Sequence, residues 1–191
     1  HLVVTIGENS FDTVLREDGT LGSIEGHGWV MTAEEDKAID EKLASLAADP
    51  KSQDGSASQE ALTYRVLSFL SKVGANGEVP SRDYDQLGLY GNEGVKCLTK
   101  GKSYKAEWID FNNVGRSRTL IADANEGTRS WGNFNCQGRC GVGCAGAGLT
   151  KDCLDHDVCS LDTNGAYLKN CNSELLDAAD DGISTSWGSC R

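Results

Sequence analysis

Long apolar runs are absent from this sequence. Its 191 residues contain no stretch of about 18 consecutive apolar residues, the length that a membrane-spanning helix requires, so we predict no transmembrane segment. Basic residues are also few, since 18 Lys and Arg stand against 29 Asp and Glu and the formal net charge is −11. Nucleic-acid binding needs clustered Lys and Arg to release phosphate counterions, so this balance argues against a nucleic-acid partner. The acidity suits cation binding, or neutral and zwitterionic partners.

Methionine occurs once, whereas cysteine occurs eight times. Cytosolic thiols stay reduced, so a high and even cysteine count predicts disulfide bonds and a secreted protein. The first residue is His rather than Met and no apolar signal core follows it, so we expect that a signal peptide has been removed or lies outside this sequence. The sequence leaves the disulfide partners of four cysteines open: Cys97, Cys136, Cys144 and Cys190.

Residues 1–80 predict a module with two helices. Thr32-Ala-Glu-Glu35 is a capping box, and apolar residues follow it at helical spacing. Ser58 can cap a second helix, for which Gly74 is the stop signal. The two helices predict a packed hairpin, and the module would be either a prosegment or a cover over a functional site.

Residues 81–191 are predicted to form a second domain that begins with β structure. Alternating apolar segments between Gly and Asn turn signals predict short strands here and at the amino terminus, at residues 2–6, 13–15, 87–90, 94–98, 104–111 and 118–121. The acidic segment Asp123-Ala-Asn-Glu126 lacks the spacing and the glycine of an EF-hand. We therefore interpret it as a solvated loop.

The densest chemistry lies in residues 136–159, which hold five of the eight cysteines and one of the three histidines. A glycine-rich loop leads into a predicted helix on which Cys153, His156 and Cys159 recur every three residues and lie close to one face. A zinc site built from these three side chains would need reduced thiolates. An oxidising compartment instead favours disulfide bonds.

We expect both cysteines of this helix to be bonded outward. A second predicted helix, residues 166–181, follows a short turn, and helices joined in this way are antiparallel neighbours. That arrangement puts Cys159 within reach of Cys171, while Cys153 would bond back to the glycine loop.

Two such staples would hold His156 and Asp157 rigidly, as a catalytic site requires. The glycines of the loop let carbonyl oxygens converge, and together with the Asp157 carboxylate they would make a hard oxygen site, which suits calcium better than zinc. No Gly-x-Ser-x-Gly elbow is present to supply a serine nucleophile.

The segment Cys140-Gly-Val-Gly143, followed by Cys153-Leu-Asp-His-Asp-Val-Cys159, resembles the secreted phospholipase A2 family. That family has a Cys-Gly-x-Gly calcium loop and a Cys-x-x-His-Asp-x-Cys helix, bridged by a disulfide. The resemblance covers residues 139–159, extending towards 181, which is about a fifth of the chain. It implies an α+β fold in which a disulfide-stapled antiparallel helix pair carries the site.

The resemblance implies a secreted, calcium-dependent phospholipase A2 that hydrolyses glycerophospholipid esters. His156 would be the general base that takes a proton from the attacking water, and Asp157 would bind Ca²⁺ with its carboxylate. The carbonyl oxygens of Arg139, Gly141 and Gly143 would complete the protein ligands. Bound calcium would polarise the ester carbonyl and stabilise the oxyanion. The implied partner is a phospholipid membrane or micelle surface, contacted peripherally by a monomer.

One departure from the family pattern concerns the group that orients His156. The family places an Asp directly after the cysteine of the second helix, and this chain has Asn172 there. An amide oxygen stabilises an imidazolium less than a carboxylate does. Glu174, Asp177 and Asp181 are alternatives on the same predicted helix, and we favour Glu174 as the third catalytic residue.

Two further hypotheses remain open. Asn172 favours a phospholipase-like binding protein or toxin that keeps the scaffold without turnover. The helical module of residues 1–80 favours a zymogen in which this module is an inhibitory prosegment. Upstream of the glycine loop, Trp131 and Phe134 would either insert into a lipid surface or belong to the core.

Overall fold

The computed structural model describes residues 1–53, 58–84, 95–110, 112–125, 128–129, 132–133, 136–140, 148–162, 171–183 and 190. Within them, helices combine with antiparallel sheets, so the predicted mixture of α and β structure is confirmed. Several predictions concern positions outside the described residues, namely the strand at 87–90, Gly141, Gly143, Trp131 and Phe134. No helix in the described part of the chain is long and apolar enough to cross a membrane.

The amino-terminal half contains a four-stranded antiparallel sheet. Its strands are adjacent in chain order: β1 (Leu2–Ile6), β2 (Asn9–Leu15), β3 (Leu21–Glu25) and β4 (Arg82–Asp83). β2 is longer than predicted and β3 was not predicted, because Gly and Ser interrupt its apolar pattern. The boundary predicted at residue 80 lies just before β4, the strand that completes this sheet.

Helix α1 (Ala33–Ala47) begins where the capping box predicts. The Glu35 amide donates to Thr32 Oγ1 over 3.2 Å, and the Thr32 amide donates to Glu35 Oε2 over 2.8 Å. The Glu35 carboxylate also accepts hydrogen bonds from Asn9 and from the Trp29 indole, so the cap fastens α1 to the sheet. These donors, the Thr32 amide first, lower the pKa of Glu35 to about 2.

Helix α2 (Gln59–Val73) follows a 3₁₀ turn at Pro50–Gln53. As predicted, Ser58 caps its start and Gly74, with a φ of 72°, ends it. Beyond its first turn no residue of α2 is fully exposed. A helix covered on all sides lies inside the molecule rather than on its surface. The main core therefore forms around α2.

The carboxyl-terminal half contains the antiparallel hairpin of β5 (Ser103–Ile109) and β6 (Gly115–Ile121), followed by a smaller pair. The smaller pair is β7 (Thr128–Arg129) and β8 (Gly132–Asn133). The strand predicted at 94–98 is reduced, within its described part, to one isolated bridge, between Cys97 and Thr150.

Among the residues that the structure describes, two helices complete the fold, α3 (Lys151–Asp162) and α4 (Asn172–Ile183). The end of α3 is bonded to the residue before α4 through Cys159–Cys171, and Cys153 Sγ lies 3.9 Å from the Ala178 carbonyl near the end of α4. The helices are therefore antiparallel neighbours, as predicted. One face of α3 packs against β5 in a second core.

Candidate active site

Helix α3 is held by disulfide bonds near both of its ends. Cys140 is bonded to Cys153 and Cys159 to Cys171, which confirms the predicted outward bonding. Neither cysteine of α3 is a thiolate, so the alternative zinc site is excluded. A third disulfide, Cys97–Cys190, ties the end of the chain to the same half of the molecule.

Gly138 places its backbone amide against Asp157. The amide donates to Asp157 Oδ2 over 2.8 Å, and the Gly138 carbonyl accepts from the Thr150 amide over 3.0 Å. The φ of Gly138 is +88°, and an added Cβ would lie 3.3 Å from both Leu149 Cδ1 and Leu154 Cβ. Only glycine adopts this conformation readily. The amide that Asp157 accepts is therefore in place because residue 138 is glycine.

Arg139 is fixed by a carboxylate that we expected to be solvated. Its Nε and Nη2 donate to Asp123 Oδ1 and Oδ2 over 2.9 and 3.1 Å, the two-point geometry of a strong pair. The Asp123 side chain is 2% exposed and also pairs with Lys100. Hydrogen bonds led by that from Arg139 lower the pKa of Asp123. The solvated-loop interpretation is therefore wrong for Asp123, because the partner that buries it lies 16 residues away.

Two of the predicted metal ligands converge on one cationic group, the ammonium of Lys72 in α2. Lys72 Nζ lies 2.9 Å from Asp157 Oδ1 and 3.5 Å from the Arg139 carbonyl oxygen. We call the place of this nitrogen the cation position. The side chains of Lys72 and Asp157 are only 17% and 16% exposed. Sequence reasoning missed Lys72, which is a polar residue near the end of α2 and 85 residues from its partner.

The donors at the cation position fit a hard cation. Calcium binds to carboxylate and backbone carbonyl oxygens, and both kinds are present here. The positively charged ammonium of Lys72 already contacts both oxygens. Burial raises the pKa of Asp157, but the Lys72 charge and a contact with His156 oppose this and leave the pKa below its ordinary value. Asp157 is therefore ionised at neutral pH, as a metal ligand must be.

His156 lies beside the cation position and is 4% exposed. Its Nδ1 is 3.8 Å from Asp157 Oδ1, beyond hydrogen-bond distance, and has no hydrogen-bond partner among the described residues. Its Nε2 lies 3.5 Å from Ser160 Oγ. Burial lowers the pKa of His156; Asp157 opposes that shift and the Lys72 charge adds to it. The imidazole is therefore neutral near pH 7 and can accept a proton.

One oxygen of the favoured carboxylate contacts β5. Glu174 Oε1 accepts from the Ile109 amide over 2.9 Å, and the negative charge of Glu174 acts to raise the pKa of His156. Asp177 Oδ1 pairs with Arg82 over 2.6 Å. The side chain of Asn172 lies outside the described part of the chain. Ser160 Oγ is a described neighbour of Nε2 of His156, and no sequence signal marked this serine.

Asp181, the remaining candidate, belongs to an acidic triad with Asp152 and Asp180. Their carboxylate oxygens lie within 4.8 Å of one another, close enough to hold a metal ion. Burial, reinforced by the Asp181 charge, raises the pKa of Asp180 to about 7. The triad lies where the start of α3 meets the end of α4.

Helix α2 closes one side of the site. A cavity of about 20 Å³ lies between α2 and the α3–α4 pair and is bordered by Lys72, Phe69, Cys153 and Leu175. A space of this size holds about one water molecule. A larger groove of about 510 Å³ lies on another face, between the β5–β6 hairpin and the same helix pair.

The sequence of residues 93–191 matches the family described as Domain of unknown function (DUF8213). The match covers more than half of the chain and includes Arg139, His156 and Asp157. It begins at residue 93 and therefore does not include Lys72. No curated protein and no solved structure matches the sequence.

Proposed function

We infer that this chain, which belongs to the DUF8213 family, is a secreted calcium-dependent hydrolase of glycerophospholipid esters. The observation that carries the proposal is the convergence of the Arg139 carbonyl and the Asp157 carboxylate on one cation, directly beside a buried neutral His156. The disulfides at both ends of α3 support it, because they keep these groups in one geometry.

His156 acts as the general base. A buried polar atom without a partner calls for an explanation, and Nδ1 of His156 is such an atom among the described residues. In the proposal a water molecule donates to Nδ1 and loses its proton there as its oxygen attacks the ester carbonyl. The imidazolium then returns the proton to the leaving alkoxide, which gives a fatty acid and a lysophospholipid.

Arg139 and Asp157 would hold the metal, together with further oxygen donors of the glycine loop. Bound calcium would supply positive charge to the ester carbonyl oxygen as negative charge develops on it. Gly138 and Asp123 keep the two described ligands in place, one through the Asp157 carboxylate and the other through the Arg139 side chain. The proposed partner is a phospholipid membrane or micelle surface, contacted peripherally.

A second candidate function is phospholipid binding without turnover. Lys72 at the cation position and the small cavity under α2 favour it, because both leave little room for a metal and a substrate. A scaffold of this kind would bind vesicles and release no fatty acid.

The test is fatty acid release from phosphatidylcholine vesicles, with calcium and with a chelator. The Lys72→Met variant is assayed beside the natural sequence so that a blocked cation position cannot hide the activity. We expect calcium-dependent release that His156→Asn removes. Vesicle binding without release in both proteins would contradict the hydrolase and establish the second candidate.

A further inference from the structure

We propose that Lys72 is an intramolecular substitute for calcium, which holds the cation position until Ca²⁺ displaces it. This inference rests on the proposed function, since it concerns the regulation of the same site. The contacts that carry it are those of the Lys72 ammonium with the Asp157 carboxylate and the Arg139 carbonyl. Both oxygens belong to the ligand set that the resemblance implies for the metal.

Lys72 and calcium exclude each other. Calcium binds oxygen ligands at about 2.3–2.6 Å, so an ion bound to Asp157 Oδ1 would lie almost where Lys72 Nζ lies. Two like charges in such proximity repel strongly, more so because Lys72 and Asp157 are largely removed from water. Calcium therefore binds only after the ammonium has left.

The ammonium neutralises the charge that would attract a metal ion. Asp157 is ionised, and its Oδ2 already accepts the Gly138 amide, which leaves Oδ1 for a cation. A divalent ion must compete with an ammonium that is tethered by its own helix and therefore present at high effective concentration. The calcium affinity of the natural protein is lowered by this competition.

The exchange involves the Lys72 side chain rather than release of the amino-terminal module. Leu175, Ala179 and Ile183 of α4 share one core with α2. Removing the module would expose these apolar residues to water at a high free-energy cost. Lys72 is the last residue but one of α2, which ends at Val73 and is followed by Gly74. Because Lys72 lies in this last turn, its side chain can turn towards solvent without unpacking the helix.

The experiment compares calcium affinities of the full chain by titration calorimetry, with terbium luminescence as a second probe. Lys72→Met removes the charge and retains most of the length, and Lys72→Gln serves in its place if the Met variant does not fold. Lys42→Met, on the exposed side of α1, is the matched control. We expect calcium to bind at least about tenfold more tightly to Lys72→Met, a change of about 1.4 kcal/mol, with no change in the control.

Adding Asp157→Asn to Lys72→Met should abolish the tighter binding and so locate it at the cation position. The natural protein and Lys72→Met could instead bind calcium equally tightly, with both losing it on Asp157→Asn. That result would overturn the competition by Lys72 but would support the proposed metal site. If neither folded protein binds calcium or terbium, the calcium-dependent function itself fails. The two failures are therefore distinguishable.

Discussion

Arg65, in the middle of α2, donates from Nε to the carbonyl oxygen of Ile183, the last residue of α4, over 3.0 Å. Both residues are buried and lie 118 positions apart in the sequence. The contact joins a helix outside the DUF8213 match to one inside it. The two halves of the chain are therefore held together by hydrogen bonding as well as by the shared core around α2.

Arg65→Met should destabilise the whole chain rather than one half. The variant keeps an apolar stem but removes a charged donor from a buried carbonyl, a loss of about 1.5–3 kcal/mol in the free energy of unfolding. Denaturant unfolding followed by tryptophan fluorescence and by circular dichroism should show one coincident transition. Lys37→Met, on an exposed face of α1, should leave the midpoint unchanged. Two separate transitions would show that the halves unfold independently.

Local signals were sufficient to predict the helices of the amino-terminal half. The capping box at Thr32 and the serine at 58 satisfy amides of the first helical turn, and Gly74 reaches a positive φ at low cost. Such interactions involve residues only a few positions apart, so they can be predicted from the sequence. The same holds for the spacing that predicts Cys159–Cys171, since the two cysteines are 12 residues apart.

The composition of the candidate site was only half predictable. His156 and Asp157 stand in a motif, whereas Lys72 and Asp123 carry no local mark of their roles. Lys72 reaches Asp157 across 85 residues, and its position depends on how α2 packs against α4. Tertiary packing also gives Glu174 a partner that helical spacing could not predict, the Ile109 amide.

Gly138→Ala should weaken calcium binding and reduce stability together. The substitution strains a φ of +88° and brings Cβ within 3.3 Å of Leu149 and Leu154, which displaces the amide that Asp157 accepts. Gly28→Ala is the matched control, because its φ is +73° and no atom lies within 4 Å of the added Cβ.

We expect the control to lose about 1 kcal/mol in the free energy of unfolding and Gly138→Ala to lose more, roughly 2–3 kcal/mol. Calcium affinity, measured in a background that carries Lys72→Met, should fall only for Gly138→Ala. Equal affinities in both glycine variants would contradict the role of this amide.

Asp180 should make the protein less stable as the pH rises from about 4 towards neutrality. Burial, reinforced by the Asp181 charge, raises its folded pKa to about 7 from an ordinary value of 3.8, so the folded state holds its proton more tightly than the unfolded state. This contribution to stability is complete below about pH 4 and is lost between there and about pH 7. The difference between these two pKa values corresponds to about 4 kcal/mol in the free energy of unfolding.

Asp180→Asn should remove that pH dependence, because an amide is neutral at every pH. Urea unfolding at pH 4 and pH 8 should show a variant that is more stable than the natural protein at pH 8 and little different at pH 4. Glu8→Gln, an exposed acidic residue in the β1–β2 turn, should change neither value. A variant that is less stable at pH 8 would show that the ionised carboxylate is required there.

His156→Asn and Asp157→Asn should separate proton transfer from metal binding. Removing the base of an acid–base step costs about 10²–10⁴ in rate, so fatty acid release by His156→Asn should fall by at least about a hundredfold. Its calcium affinity, measured with Lys72→Met present, should stay the same, since His156 supplies no ligand. Asp157→Asn should lose both activity and calcium binding, because the carboxylate that holds the cation is gone. If His156→Asn also abolishes calcium binding while its disulfides and circular dichroism are unchanged, the imidazole is a ligand rather than the base.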